Sequence, residues 1–259
     1  MQNTQGMPIW YELMTKDPGA VQDFYRRVMG WTFEPMPDAP GGDYHVASID
    51  GTAVAGLMQM QGSPQAMWFV YLGVDDVDAS AAKVQALGGR VEQAPTDIPG
   101  VGRFAFCADP QGAYFYLMRG DSDQPSAAFA TATPGHCSWN ELIASDQRAA
   151  LSFYGQLLGW EKGDAMPMGD AGDYTFLMLD GQMIGAVMDR TDPDVAPYWN
   201  FAFQVPEIDA AAEAVRAAGG VVRMGPTDLP DGQMWLVQIT DPQGAELMLT
   251  GPRKSSQPS

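Results

Sequence analysis

Residues 9–31 read IWYELMTKDPGAVQDFYRRVMGW, and residues 136–160 read HCSWNELIASDQRAALSFYGQLLGW. The two stretches are one pattern written twice. Trp10 and Trp139, Glu12 and Glu141, Asp17 and Asp146, Phe24 and Phe153, Tyr25 and Tyr154, Gly30 and Gly159, and Trp31 and Trp160 all stand 129 residues apart. Repetition at a fixed period points to repeated structural units, so it governs everything read after it. Within the first copy the run PIWYELM alternates like a strand, and Asp17-Pro18 then opens a helix in which Ala20, Val21, Phe24 and Val28 recur at helical spacing. Gly30 is the residue type that ends a helix in the left-handed conformation, and Trp31 begins the next extended segment.

The correspondence runs to the end of the chain. Asp50-Gly51 matches Asp180-Gly181, Gly88-Gly89 matches Gly219-Gly220, PTDIP from Pro95 matches PTDLP from Pro226, and DPQGA from Asp109 recurs from Asp241. The offset drifts only from 129 to 132, which places the insertions singly in loops. Two homologous domains are predicted, residues 1–120 and 135–252, with the small-residue and proline-rich segment 121–134 as linker and 253–259 as a polar tail. Residues 1–6 and the tail PRKSSQPS are polar enough to fray. Each half has an inner rhythm as well. DYHVASI and TAVAGLMQM read as strands joined at an Asp50-Gly51 hairpin turn; then WFVYLGV restarts the pattern, followed by the helix VDASAAKVQALGG and the strands GRFAFCAD and GAYFYLM around the turn Asp109 to Gly112. A unit of one strand, one helix and further strands thus occurs four times, an α+β arrangement of strand-helix-strand-strand-strand modules. Such units curl their sheets into half-open barrels around concave sites.

Composition narrows the partners. With 259 residues, each half can bury a core, and 46% hydrophobic with 18% charged residues is a globular composition. The formal charge of −18 argues against nucleic acid or an anionic membrane, whose phosphates would repel such a surface, and leaves small molecules open. No apolar run approaches the ~18 residues of a membrane span, and MQNTQGMPIW lacks the basic flank and apolar core of a signal peptide, so a cytoplasmic protein is expected. The two cysteines, Cys107 and Cys137, have no metal-binding spacing and read as reduced core residues.

A strand ending in leucine, then DPGAVQDFYRRVMGW, later VDDVDA, a Gly-Gly pair, and DPQG before the last strand resemble the glyoxalase/bleomycin resistance/extradiol dioxygenase family, the vicinal oxygen chelate superfamily. The resemblance covers nearly the whole chain in both halves, and in detail it is similar to tandem-domain glyoxalase-like proteins. It implies two half-open barrels. For the family's usual chemistry it also implies a divalent metal held by His, Gln or Glu with open positions for adjacent substrate oxygens. The positions matching those ligands hold Trp10, Phe69 and Tyr116 in the first half and Trp139, Asn200 and Met248 in the second. None is His, Glu or Asp, so the standard metal is not expected.

Side chains alternate along a strand, which puts Glu12 on the face of Trp10 and Glu141 on the face of Trp139. Tyr114, Tyr116 and Met118, and Glu246, Met248 and Thr250, are the inward positions of the last strands. The expected ligand-binding set is therefore Trp10, Phe69, Tyr114, Tyr116, Trp139, Asn200, Glu246 and Met248, a lining suited to an apolar or aromatic ligand with a polar handle. Glu12 and Glu141 have two readings. A carboxylate in an apolar cup has its pKa raised and serves as a base or ligand handle; alternatively it bonds to backbone or to an arginine such as Arg103 and seals the modules. His45, in DYHVASI, is a candidate to join Glu12 as an acid–base pair or a non-standard divalent metal site, with Thr175 or Phe176 as its counterpart. A half-buried hydrogen-bonding role is the rival reading. The leading expectation is a metal-independent small-molecule-binding protein, monomer or homodimer. The alternatives are a lyase, isomerase or hydrolase acting on a carbonyl or vicinal-oxygen compound with Glu12 or Glu141 as base, and a non-catalytic partner-binding module.

Overall fold

The computed structural model describes residues 3–37, 39, 42–60, 65–230 and 232–254. Among them are four modules. The first runs β1 (Pro8–Thr15), α1 (Pro18–Met29), β2 (Thr32–Pro35), β3 (Tyr44–Ile49) and β4 (Thr52–Gln59). The second is β5 (Met67–Gly73), α2 (Val77–Ala86), β6 (Arg90–Ile98), β7 (Gly102–Ala108) and β8 (Tyr114–Gly120). The third is β9 (Cys137–Ala144), α3 (Gln147–Leu158), β10 (Glu161–Pro167), β11 (Asp173–Leu179) and β12 (Gln182–Asp189). The fourth is β13 (Tyr198–Gln204), α4 (Ile208–Ala217), β14 (Val221–Asp228), β15 (Met234–Thr240) and β16 (Glu246–Pro252).

The helix boundaries follow the local chemistry. Asp17 caps α1 by accepting the Ala20 amide, Asp146 caps α3 through the Arg148 and Ala149 amides, and Gly30 and Gly159 close those helices at φ 75° and 81°. These are conformations that glycine adopts without steric cost. The strands form two eight-stranded mixed sheets, ordered β2-β3-β4-β1-β5-β8-β7-β6 and β10-β11-β12-β9-β13-β16-β15-β14. The second order is the first shifted by one half, and each sheet has free edges, so neither is a closed barrel. The architecture is α+β, with two tandem copies of one domain. β6 carries PTDI from the repeat; its side chains are mostly exposed, its pairing with β7 is interrupted by register shifts, and Pro95 lies inside it, as an edge strand tolerates.

Compactness groups the chain into two units. One comprises Met1–Trp10, Phe69–Ser126 and Trp139–Asn200, the other Tyr11–Trp68, Ala127–Ser138 and Phe201–Ser259, so each draws modules from both halves. In the first unit, the Tyr154 hydroxyl donates to Asp109 Oδ2 at 3.2 Å, and Asp109 Oδ1 accepts the amides of Gln111, Gly112 and Ala113. Gln111 accepts the Ser145 and Asp146 amides and donates to the Asp146 carbonyl, and the Trp160 indole donates to Gly6 O. In the second unit, Tyr25 donates to Asp241 Oδ2 at 2.9 Å, Gln243 holds Thr15 Oγ1 and the Asp17 backbone, and Trp31 donates to Gly135 O. The DPQGA segments are therefore more than turns: each ties its own half to the helix start of the other. Burial raises the pKa of both aspartates, and burial followed by the adjacent aspartate pushes both tyrosines well above their usual value.

Hydrogen bonds at the chain start correct the expectation that it frays. Residues 3–6 do not fray, because Gly6 donates to the Gly73 carbonyl and is held by Trp160, while Asn3 accepts from the Ser126 amide. Within the linker, the Ala130 amide bonds to Cys137 and Gly135 bonds to Gln204. Of the tail, Arg253 pairs with Asp209 at 2.7 Å and lies over the Trp235 ring, whereas residues 1–2 and 255–259 lie outside the described residues. Both cysteines are free and buried.

Candidate functional site

Register decides which candidates share a face, since paired residues on neighbouring strands point the same way. In the second half Ala186 on β12 pairs with both Glu141 on β9 and Phe176 on β11. Alternation then places Trp139, Glu141 and Ile143 with Tyr174, Phe176 and Met178. All six are half-buried, whereas the intervening Asn140, Leu142, Thr175 and Leu177 are buried. This is the less buried face of the third module's sheet.

A directed hydrogen-bond chain crosses it. The Trp139 indole Nε1 donates to the Tyr174 hydroxyl at 2.7 Å, and that hydroxyl donates to Glu141 Oε2 at 2.8 Å. The Asn200 side chain also bonds to the Glu141 carboxylate. Burial raises the Glu141 pKa above the usual carboxylate range, with the bonds from Tyr174 and Asn200 acting in the opposite direction. The Tyr174 phenol is pushed up by burial first and by the Glu141 charge second. Phe176 closes the frame edge-on, 6.0 Å from both the Trp139 and Tyr174 rings. The arrangement holds one carboxylate in a fixed orientation inside an aromatic rim, and such a group can accept a ligand's proton or hydrogen bond.

The first half repeats the residues, with its glutamate more deeply buried. The same register places Glu12, Gly56 and Val46 on one face of β1, β4 and β3, and Leu13, Leu57 and His45 on the other. His45 therefore points away from Glu12, and the expected His45–Glu12 pair is not made. Its imidazole Nε2 meets Asp43 at 2.9 Å, and its counterpart in the repeat is Thr175, which bonds to Gln147 on the α3 side. Glu12 is 3% exposed. Arg103 is not its partner; it is forked onto Asp78 and Asp97. On β5, β7 and β8 the aromatics pack on one another: Tyr71 stacks on Tyr116 at 4.2 Å, Phe106 stacks on Tyr116 at 4.6 Å, and Phe69 meets both Phe106 and Tyr116 edge-on. Tyr114 stacks on Phe106 and stays exposed, as does Glu246, whereas Met248 is buried.

Tyr174 is the member of this hydrogen-bond chain that the sequence alone does not single out. Its signal was present: Gly42-Asp43-Tyr44 and Gly172-Asp173-Tyr174 repeat 130 residues apart. Trp, Glu and Tyr therefore recur in both halves, and the differences include Asn200, whose place Phe69 takes, and Phe176, whose place Val46 takes.

Two matches to the Glyoxalase/Bleomycin resistance protein/Dioxygenase superfamily lie along the chain, over residues 9–117 and 133–249. The chain belongs to this superfamily. Among curated relatives, "Putative glyoxylase CFP32" of Mycobacterium tuberculosis is 35% identical over 247 residues, covering 93% of each chain. "Anthracycline biosynthesis protein DauV" of Streptomyces sp. is 33% identical over 255 residues, covering 93% of this chain and 91% of the relative. Solved structures share the fold. The Mn(II)-bound glyoxalase from Novosphingobium aromaticivorans has a TM-score of 0.66 at 20% identity, with 96% of this chain and 83% of that one covered. An extradiol ring-cleaving dioxygenase from B. fuscum has a TM-score of 0.69 at 16% identity, with 100% and 76% covered. The superfamily's metal is a separate matter. Trp10, Phe69, Tyr116, Trp139, Asn200 and Met248 offer indole, phenyl, phenol, amide and thioether groups, a donor set that does not fit a divalent ion. Among the described residues no three His, Cys, Asp or Glu side chains come together as a metal-holding group.

Proposed function

We propose that this protein binds an apolar or aromatic small molecule on the half-buried face of the third module's sheet, without the superfamily's metal, and that Glu141 is the polar handle. The observation that carries the reading is the half-buried residue Glu141, its carboxylate held by Tyr174 and Asn200 within the rim of Trp139, Tyr174 and Phe176. An apolar surface with one fixed polar group is the usual composition of a small-molecule site. The name of the relative DauV supports an aromatic ligand, because anthracyclines are planar polycyclic compounds. Phe69, Tyr114 and Tyr116 belong to a self-packed aromatic set in this reading, and Trp10 and Met248 are not part of the proposed site.

A second reading keeps Glu141 as a general base for a lyase, isomerase or hydrolase, and the raised pKa of that carboxyl favours it. A thermal-shift screen with aromatic metabolites and anthracyclines tests the binding reading. A ligand at 100 times its dissociation constant adds about 2.7 kcal/mol of stability. Failure of every aromatic compound to shift unfolding, or stoichiometric Mn, Fe, Ni or Zn in the purified protein, would refute it. Turnover of a bound ligand that is lost in Glu141→Gln would favour the enzyme.

A further inference from the structure

The polarity of the Trp139–Tyr174–Glu141 chain restricts the ligand's chemistry. An indole N–H only donates, so the Tyr174 oxygen must accept from Trp139 and its own proton must go to Glu141. Every bond in the chain therefore points toward the carboxylate. The Asn200 side chain, bonded to the same carboxylate, occupies a further lone pair. An ionised carboxylate offers about four lone-pair positions and no proton, so the positions left over can only accept. Glu141 is half-buried, on the face it shares with Trp139, Tyr174 and Phe176. The protein's charge of −18 adds a general bias against anions.

We propose that this face selects aromatic ligands carrying a hydrogen-bond donor, a phenolic O–H or an amine N–H, and discriminates against ligands that present only acceptors or a negative charge. The inference rests on the small-molecule reading above and deepens it. Adjacent carbonyl oxygens, which suit a metal ion, meet a mismatch here: acceptor faces acceptor. A donor completes the carboxylate, and a protonated amine also cancels its charge.

The test uses the intact wild-type protein and four probes on one skeleton: a naphthol, a naphthylmethylamine, the matching methoxynaphthalene and the matching naphthoate. Affinities are read by calorimetry and by Trp fluorescence at mildly alkaline pH. A hydrogen bond to a charged acceptor corresponds to a factor of roughly 10 to 100 in affinity. The naphthol and the amine should bind at least about tenfold more tightly than the methoxy compound, with the naphthoate weakest. Preference for the amine over the naphthol would assign the larger share to charge, and the reverse to hydrogen bonding; both support the proposal. Equal binding of methoxynaphthalene and naphthol overturns donor selection while leaving the binding reading intact. If none of the four binds, the binding reading falls and this inference with it. Glu141→Gln, whose amide both donates and accepts, should compress the spread between naphthol and methoxynaphthalene; an unchanged spread would place selection elsewhere.

Discussion

Replacing Tyr174 by Phe removes one oxygen and two short hydrogen bonds, the 2.7 Å bond from Trp139 and the 2.8 Å bond to Glu141. A bond to a carboxylate contributes about 1.5–3 kcal/mol and a neutral one about 1 kcal/mol, while Phe recovers part of the cost of burying a phenol. The net loss should be about 2 kcal/mol, and in a chain of this size each kcal/mol lowers the unfolding midpoint by roughly 2–4 °C. Denaturant unfolding should show a lower midpoint with an unchanged slope. The Glu141 pKa should rise further, because a bond that favours its charged form is gone. A double-mutant cycle with Trp139→Phe should give a coupling of about 1 kcal/mol, since the indole donor and the phenol are direct partners. Stability of Tyr174→Phe within about 0.5 kcal/mol of wild type, the spread of ordinary surface substitutions, would refute the chain as drawn.

Tyr25→Phe and Tyr154→Phe should each cost about 2 kcal/mol in denaturant unfolding, because each strips a buried aspartate of its phenol and a tryptophan N–H of its acceptor. Asp241 has a folded-state pKa above its unfolded value, so its contribution is full below the unfolded pKa and is lost as pH rises through the folded one. The stability of wild type relative to Asp241→Asn should therefore increase from neutral pH toward the usual carboxylate range, as measured by urea unfolding at each pH. Burial pushes the Cys107 thiol up to about 12, so a thiol reagent should leave it unmodified in the folded protein and label it on denaturation.

Several features were legible because they are local. The Asp17 and Asp146 caps, the Gly30 and Gly159 stops and the strand–helix alternation each depend on residues within one turn or one strand. The recurrence of Glu12 and Glu141 was equally visible, as was the lack of metal-type donors at the positions of Trp10 and Trp139. Exposed strands such as β6 and β14 carry little hydrophobic alternation, so their register was not readable.

What the chain itself determined, then, is the duplication, the four modules, the helix caps and the identity of the repeated carboxylate, all written in short-range patterns. Tertiary structure decided the rest. Tyr174 lies 33 residues from Glu141 and meets it only because β11 and β9 both flank β12 with their side chains in register. His45 turned away from Glu12 because pairing with Leu57 put it on the opposite side of the sheet, a choice of parity that no single strand encodes. Tyr25 and Asp241, 216 residues apart, form a buried pair because the two halves exchange contacts. The equal-looking glutamates diverged for the same kind of reason: packing left Glu12 buried and Glu141 half-buried, and burial is a property of neighbours brought together by folding.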